Sequence, residues 1–138
     1  MKKNINQILQ ISHISLFTNN LNKVIKFYVN FLGFKVVHTF KNKKNQKYGL
    51  FIYCGNNTML EFFYTKKKIS HSSKFRHICF QVSNINKIFK KLSKKNTTLS
   101  LKRGRTDKTL NFEIKDLENN IIEFHQYDKK SKLFKKLK

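Results

Sequence analysis

Residues 11–28, ISHISLFTNNLNKVIKFY, and residues 75–92, FRHICFQVSNINKIFKKL, are two versions of one pattern. Each opens with a short apolar run whose third residue is histidine. An asparagine-rich turn follows, and then apolar residues at helical spacing. Val24, Phe27, Tyr28, Phe31 and Leu32 fall on one face of the first expected helix, and Ile85, Ile88, Phe89 and Leu92 on one face of the second. Asn20 and Asn84 stand where a cap is needed, with side-chain oxygens able to accept from orphan backbone N–H groups.

Outward from these stretches a second pair appears. GLFIYCGNNTMLEFFY (49–64) and LNFEIKDLENNIIEFHQY (110–127) each read as a strand, a polar turn and a second strand carrying a glutamate. The turns are built around Gly55-Asn56-Asn57 and Glu118-Asn119-Asn120. His13 and His77 are 64 residues apart and Glu61 and Glu123 are 62 apart, so one supersecondary unit is used twice. Linking strands are expected near Lys35–Phe40 and Thr98–Lys102. The pattern predicts an α+β fold of two βαβββ modules, residues 11–64 and 75–127, with their sheets paired around a metal-binding cleft in one domain. Residues 65–74 are the expected linker and 128–138 a basic tail, in which Leu133, Phe134 and Leu137 share a helical face.

The whole chain, 138 residues long, has room for one core and no separate catalytic domain. It has no apolar stretch of roughly 18 residues and no signal-peptide pattern, which predicts a soluble cytoplasmic protein without a membrane partner. Cys54 and Cys79 are too few and too far apart for a disulfide scaffold or a thiol metal motif, and both are expected to be reduced. The formal net charge of +23 raises nucleic-acid binding as a function class. However, 27 of the 30 basic residues are lysines, which accompany 16 asparagines and no proline, the signature of adenine–thymine coding bias. No helix-turn-helix, zinc finger or RNA-binding signature is present, so nucleic acid is not the expected partner. The positive field instead favours a small anionic substrate.

Only seven residues are acidic, yet Glu61 and Glu123 lie in the middle of apolar strand patterns, where an unpaired carboxylate is costly to bury. A single histidine in such a strand is more often a hydrogen-bonded core residue than a ligand. Here both histidines and both glutamates recur at matched positions. Two imidazoles and two carboxylates make a divalent transition-metal set, with places left for water or substrate.

The openings SHISLF and RHICFQV, the segment NKVIKFYVNFLGFKV with Phe27-Tyr28 and Phe31-Leu32-Gly33-Phe34, MLEFF and DLENNIIEFHQY together resemble the vicinal oxygen chelate superfamily over residues 11–127. Within it the chain is most similar to glyoxalase I and small bacterial glyoxalase-like proteins. The resemblance implies that His13, Glu61, His77 and Glu123 hold one divalent metal ion, nickel or cobalt before zinc, manganese or iron. It also implies a lyase that isomerises a thiol hemithioacetal of methylglyoxal, with Glu123 as the base and Glu61 as second ligand or proton partner. The implied assembly is a homodimer and the implied substrate is thiol-conjugated. The chain departs from the glyoxalase pattern at three places. Phe17 replaces an arginine that helps hold glutathione, Thr65 replaces an asparagine, and Asp116-Leu117-Glu118-Asn119 softens the usual Asp-Pro-Asp-Gly turn.

The stretch from Lys102 to Leu133 is also similar to the end of fosfomycin-resistance thiol transferases, against which Glu61 argues. A non-catalytic small-molecule binder of the same superfamily would need no metal, and the full ligand set argues against that. Ser15, Phe63, Cys79 and His125 lie two residues from a ligand and should share its sheet face. His125 reads equally as a partner of Glu123 or as a substrate contact. Cys79 reads as packing. Arg103 and Arg105 flank Gly104 in a loop that either binds a substrate anion or is a solvated turn. His38 and His71 recur in neither copy and read as surface residues.

Overall fold

Alternation decides which side of each strand meets a helix. Leu60 and Phe62 flank Glu61, and Ile122 and Phe124 flank Glu123, so burying the apolar pairs turns both glutamates to the opposite face. The computed structural model describes residues 10–70 and 75–132, in two compact units, Met1–His71 and Ser72–Lys138. His71, Leu133, Phe134 and Leu137 lie outside the described residues.

In the first unit β1 (His13–Thr18) is followed by a helical segment and by β2 (Lys35–Lys41), β3 (Lys47–Gly55) and β4 (Thr58–Tyr64). The sheet order is β1-β4-β3-β2, with β1 and β4 parallel and the other pairs antiparallel. Asn20 caps the helix, its Oδ1 accepting from the backbone N–H groups of Asn22 and Lys23. After one α-helical turn, α1 (Leu21–Val24), the segment Ile25–Phe31 winds as a π-helix where an ordinary α-helix is expected from the apolar spacing. The Leu32 N–H donates to the carbonyl of Phe27, five residues back, at 2.9 Å. Val24, Phe27 and Tyr28 are nonetheless buried with Leu50, Ile52, Leu60 and Phe62, whereas Phe31 and Leu32, expected on the same face, are only half-buried. Asn56 and Asn57 both have positive φ, 47° and 57°, as a two-residue hairpin turn between β3 and β4 requires.

The second unit repeats the plan. β5 (Ile78–Gln81), α2 (Ile85–Ser93), β6 (Lys102–Arg103), β7 (Leu110–Lys115) and β8 (Ile121–Gln126) form a sheet in the order β5-β8-β7-β6, with β5 and β8 parallel. Asn84 caps α2 through the N–H of Lys87, and the Gln126 side chain accepts from the N–H of Ile85, tying the helix start to β8. Ile85 and Leu92 are buried with Phe112, Ile114, Ile122 and Phe124. The linking strand expected from Thr98 narrows to Lys102–Arg103, since the chain around Asn96 and Thr98 is turned on itself by the Asn96 side chain. The β7–β8 turn is held by Asp116, whose carboxylate accepts from the N–H groups of Glu118 and Asn120 and from the Asn120 amide.

Candidate metal-binding residues

Both sheets turn a histidine–glutamate pair to the face away from their helix. In the first unit the ladder pairs Ser15 with Glu61 and His13 with Met59, so His13 and Glu61 are diagonal neighbours. His13 Nε2 lies 3.8 Å from Glu61 Oε2. Glu61 is 9 % exposed, and its pairing with Phe51 on β3 brings the Phe51 ring edge-on to the His13 imidazole. Much of that face is aromatic: Phe40 contacts Phe51 and Phe63, Tyr48 stacks on Phe63, and His38, paired with Phe51, sets its ring against Phe40 and Phe51. Phe17, which replaces the arginine of the glyoxalase pattern, is 64 % exposed on the same strand as His13.

In the second unit His77 immediately precedes β5, and its Nε2 lies 3.2 Å from Glu123 Oε2. The register is the same as in the first unit, with Cys79 opposite Glu123 as Ser15 is opposite Glu61. The environment is not the same. Glu113, a residue absent from the sequence-based site, takes the place of Phe51 opposite the glutamate. Arg76 joins the group: its guanidinium meets Glu113 at 3.3 Å and the Nδ1 of His77 at 3.1 Å. His77, Glu113 and Glu123 offer ligand atoms all within 4.8 Å of one another, and so do Cys79, Glu123 and His125.

The donor set suits a divalent transition metal. Nitrogen and oxygen ligands at about 2.0–2.2 Å from an ion stand roughly 3.0–3.4 Å apart. The separation of 3.2 Å in the second unit fits that spacing, and 3.8 Å in the first closes with a small side-chain rotation. The two pairs lie in different units. Burial, with the charge and hydrogen bond of Glu123, raises the Cys79 thiol to about 12, so without a metal it is a neutral thiol. Burial also lowers the pKa of His125, although Glu123 and Asp107 pull the other way. Cys79, read from the sequence as a packing residue, has its thiol beside Glu123 and His125.

Arg103 is engaged within its own unit. Its guanidinium makes a two-pronged contact with Asp128, at 2.8 and 3.1 Å, and donates to the Lys108 carbonyl. A cleft of about 530 Å³ runs along the β6–β7 edge, lined by Arg76, Lys102 and Glu113 among others. It reaches neither His77 nor Glu123. Among the described residues no helix is long and apolar enough to cross a membrane.

Solved structures share this architecture. The glyoxalase family protein from Enterococcus faecalis is 22 % identical, with a TM-score of 0.68 over 84 % of this chain and 96 % of that one. A virulence protein from Salmonella typhimurium is 22 % identical, with a TM-score of 0.62 over 88 % and 98 %. The lactoylglutathione lyase from Agrobacterium tumefaciens is 17 % identical, with a TM-score of 0.65 over 87 % and 95 %. No curated protein matches the chain. Residues 10–124 match the sequence profile of one family, and with the repeated modules and their shared topology this chain belongs to the Glyoxalase/Bleomycin resistance protein/Dioxygenase superfamily.

Proposed function

We propose that the protein is a divalent-metal-dependent enzyme of the glyoxalase type, acting on a thiol hemithioacetal of methylglyoxal or a closely related small anionic substrate. The observation that carries this reading is the recurrence of one histidine–glutamate pair, Nε2 facing Oε2, at the same register in both sheets. His13, Glu61, His77 and Glu123 are the proposed metal-holding residues, with nickel or cobalt ahead of zinc. When bound, the ion supplies positive charge to substrate oxygens that become anionic as a proton leaves carbon.

The chain's own residues supply the rest. Glu123 is the proposed base, taking the proton from C1 of the hemithioacetal and returning it to C2, while the C1 hydroxyl proton passes to the C2 oxygen, which gives the thioester with no net loss of atoms. Glu61, less exposed and walled by Phe51, is the proposed second ligand. Phe17 stands where the glyoxalase pattern has an arginine that helps hold glutathione, so a thiol other than glutathione is the proposed carrier. A homodimer is the proposed assembly, checked by light scattering.

The test is to purify the chain without a metal-binding tag, measure bound divalent metal, and assay hemithioacetals of glutathione and other thiols. Glu61→Gln and Glu123→Gln should each lower turnover by about 10²–10⁴-fold. Unchanged turnover in both variants would remove the proposed proton transfer.

A further inference from the structure

The repeat is regular in backbone and broken in side chains. Around Glu61 the ladder places Ser15 on one neighbouring strand and Phe51 on the other, with Phe63 two residues along β4. Around Glu123 the same three positions hold Cys79, Glu113 and His125. A compositional drift toward lysine and asparagine explains none of these three. The second unit therefore presents five side chains of metal-ligand type on one face, His77, Cys79, Glu113, Glu123 and His125, where the first presents three, His13, His38 and Glu61, with Phe51 between His38 and Glu61.

These five divide around Glu123. On one side His77 and Glu113 are already in contact with a protein cation, the Arg76 guanidinium. On the other side the Cys79 thiol is hydrogen-bonded to Glu123, and the His125 ring lies against Tyr127. Cys79 Sγ, a Glu123 carboxylate oxygen and a ring nitrogen of His125 lie within 4.8 Å of one another. Ligands of a tetrahedral zinc ion, with sulfur at about 2.3 Å and nitrogen or oxygen at about 2.0–2.2 Å, stand roughly 3.3–3.7 Å apart. Strand pairing of Cys79 with Glu123 and of Gln81 with His125 fixes the backbone, so the remaining adjustment falls to side-chain rotation.

We propose that Cys79, Glu123 and His125 form a further cation site, selective for a thiophilic divalent ion such as zinc or cobalt and built wholly within the second unit. A thiolate, an imidazole and a carboxylate are a borderline-soft set, distinct from the imidazole–carboxylate set proposed for the enzyme. Binding converts the thiol to a thiolate and releases one proton to solvent, with no redox change. Glu123 is common to both sites, and the inference otherwise stands apart from the proposed activity.

Cobalt(II) titration of the full chain tests it, because thiolate coordination adds an intense near-ultraviolet charge-transfer band that imidazole and carboxylate ligands do not give. The band should appear on cobalt binding, disappear in Cys79→Ser, and persist in His13→Ala and Glu61→Gln. His125→Ala should weaken the cobalt affinity read from the band at least about tenfold. X-ray absorption on the zinc-loaded wild-type chain, which needs no variant, should show a sulfur neighbour at about 2.3 Å. Cobalt bound without the band and released by His77→Ala would overturn this site while leaving the proposed enzyme metal in place. A band retained in Cys79→Ser, which would then come from Cys54, would also overturn it. A band present with no turnover on any hemithioacetal would support the site and count against the enzyme reading.

Discussion

Glu113 was hidden by the same symmetry that made Glu61 and Glu123 visible. Matching the two copies highlights residues that recur, and Glu113 is matched by Phe51. The signal was present in Leu110-Asn111-Phe112-Glu113-Ile114, an apolar alternation with a carboxylate inside it, as around the other two glutamates. Arg103 could not be placed by sequence either, because its partner Asp128 is 25 residues away, past β8. That contact makes a prediction about acid stability. Arg103 beside Asp128, with hydrogen bonds from Lys130 and Ser131, holds the carboxyl well below the ordinary carboxylate range. A depressed folded-state pKa stabilises the fold above the unfolded-state value and is lost as pH falls through the folded one. Asp128→Asn should therefore lower the melting temperature at pH 7, and the gap to wild type should narrow progressively below about pH 4. A gap independent of pH would show that the ion pair adds nothing. The caps were legible because Asn before a periodic apolar run has a local cause. Asn20→Ala should cost about 1 kcal/mol in urea unfolding.

Among the elements, strands were easier to read than the first helix. Apolar residues at 24, 27, 28 and 31 spell ordinary α-helical spacing, so the hydrophobic pattern could not announce the wider turn of Ile25–Phe31. The hairpins were readable from Asn56-Asn57 and Asn119-Asn120, and the register followed from which residues must face the helix. One element carries a constraint with no obvious mark in the sequence. Gly49 in β3 sits beneath the Phe40 and Phe63 rings, whose centroids are 5.0 Å apart. A Cβ there would meet Phe63 at 2.7 Å, the Phe62 carbonyl at 2.9 Å and Phe40 at 3.0 Å. The rings could yield, but the carbonyl belongs to the β4 backbone. Gly49→Ala should thus cost about 1–3 kcal/mol by overpacking, measured by urea unfolding, and pairing it with Phe63→Leu should recover part of the loss. Equal loss in the single and double variants would place the strain in the backbone alone.

For the whole molecule, excess charge and turn chemistry matter most. A net charge of +23 repels itself, and the repulsion is screened over about 10 Å at 0.1 M salt. The melting temperature should rise between 20 mM and 300 mM sodium chloride, about as much with chloride as with acetate, and a flat response would mean that the lysines are spread too widely to matter. The fold class was readable because the pattern is written twice; which sheet face would be aromatic and which ligand-rich was not, since that depends on residues the copies do not share. The same chain places Asn45, Asn56, Asn57 and Asn119 in the left-handed backbone region, where glycine is the usual occupant. None of its asparagines precedes a glycine. Succinimide closure, the slow backbone attack that deamidates asparagine, is fastest when the next residue is glycine, because nothing then blocks the attacking nitrogen. Building turns from Asn-Asn, Asn-Gln and Asn-Thr steps therefore leaves these hairpins resistant to one of the commonest forms of chemical ageing.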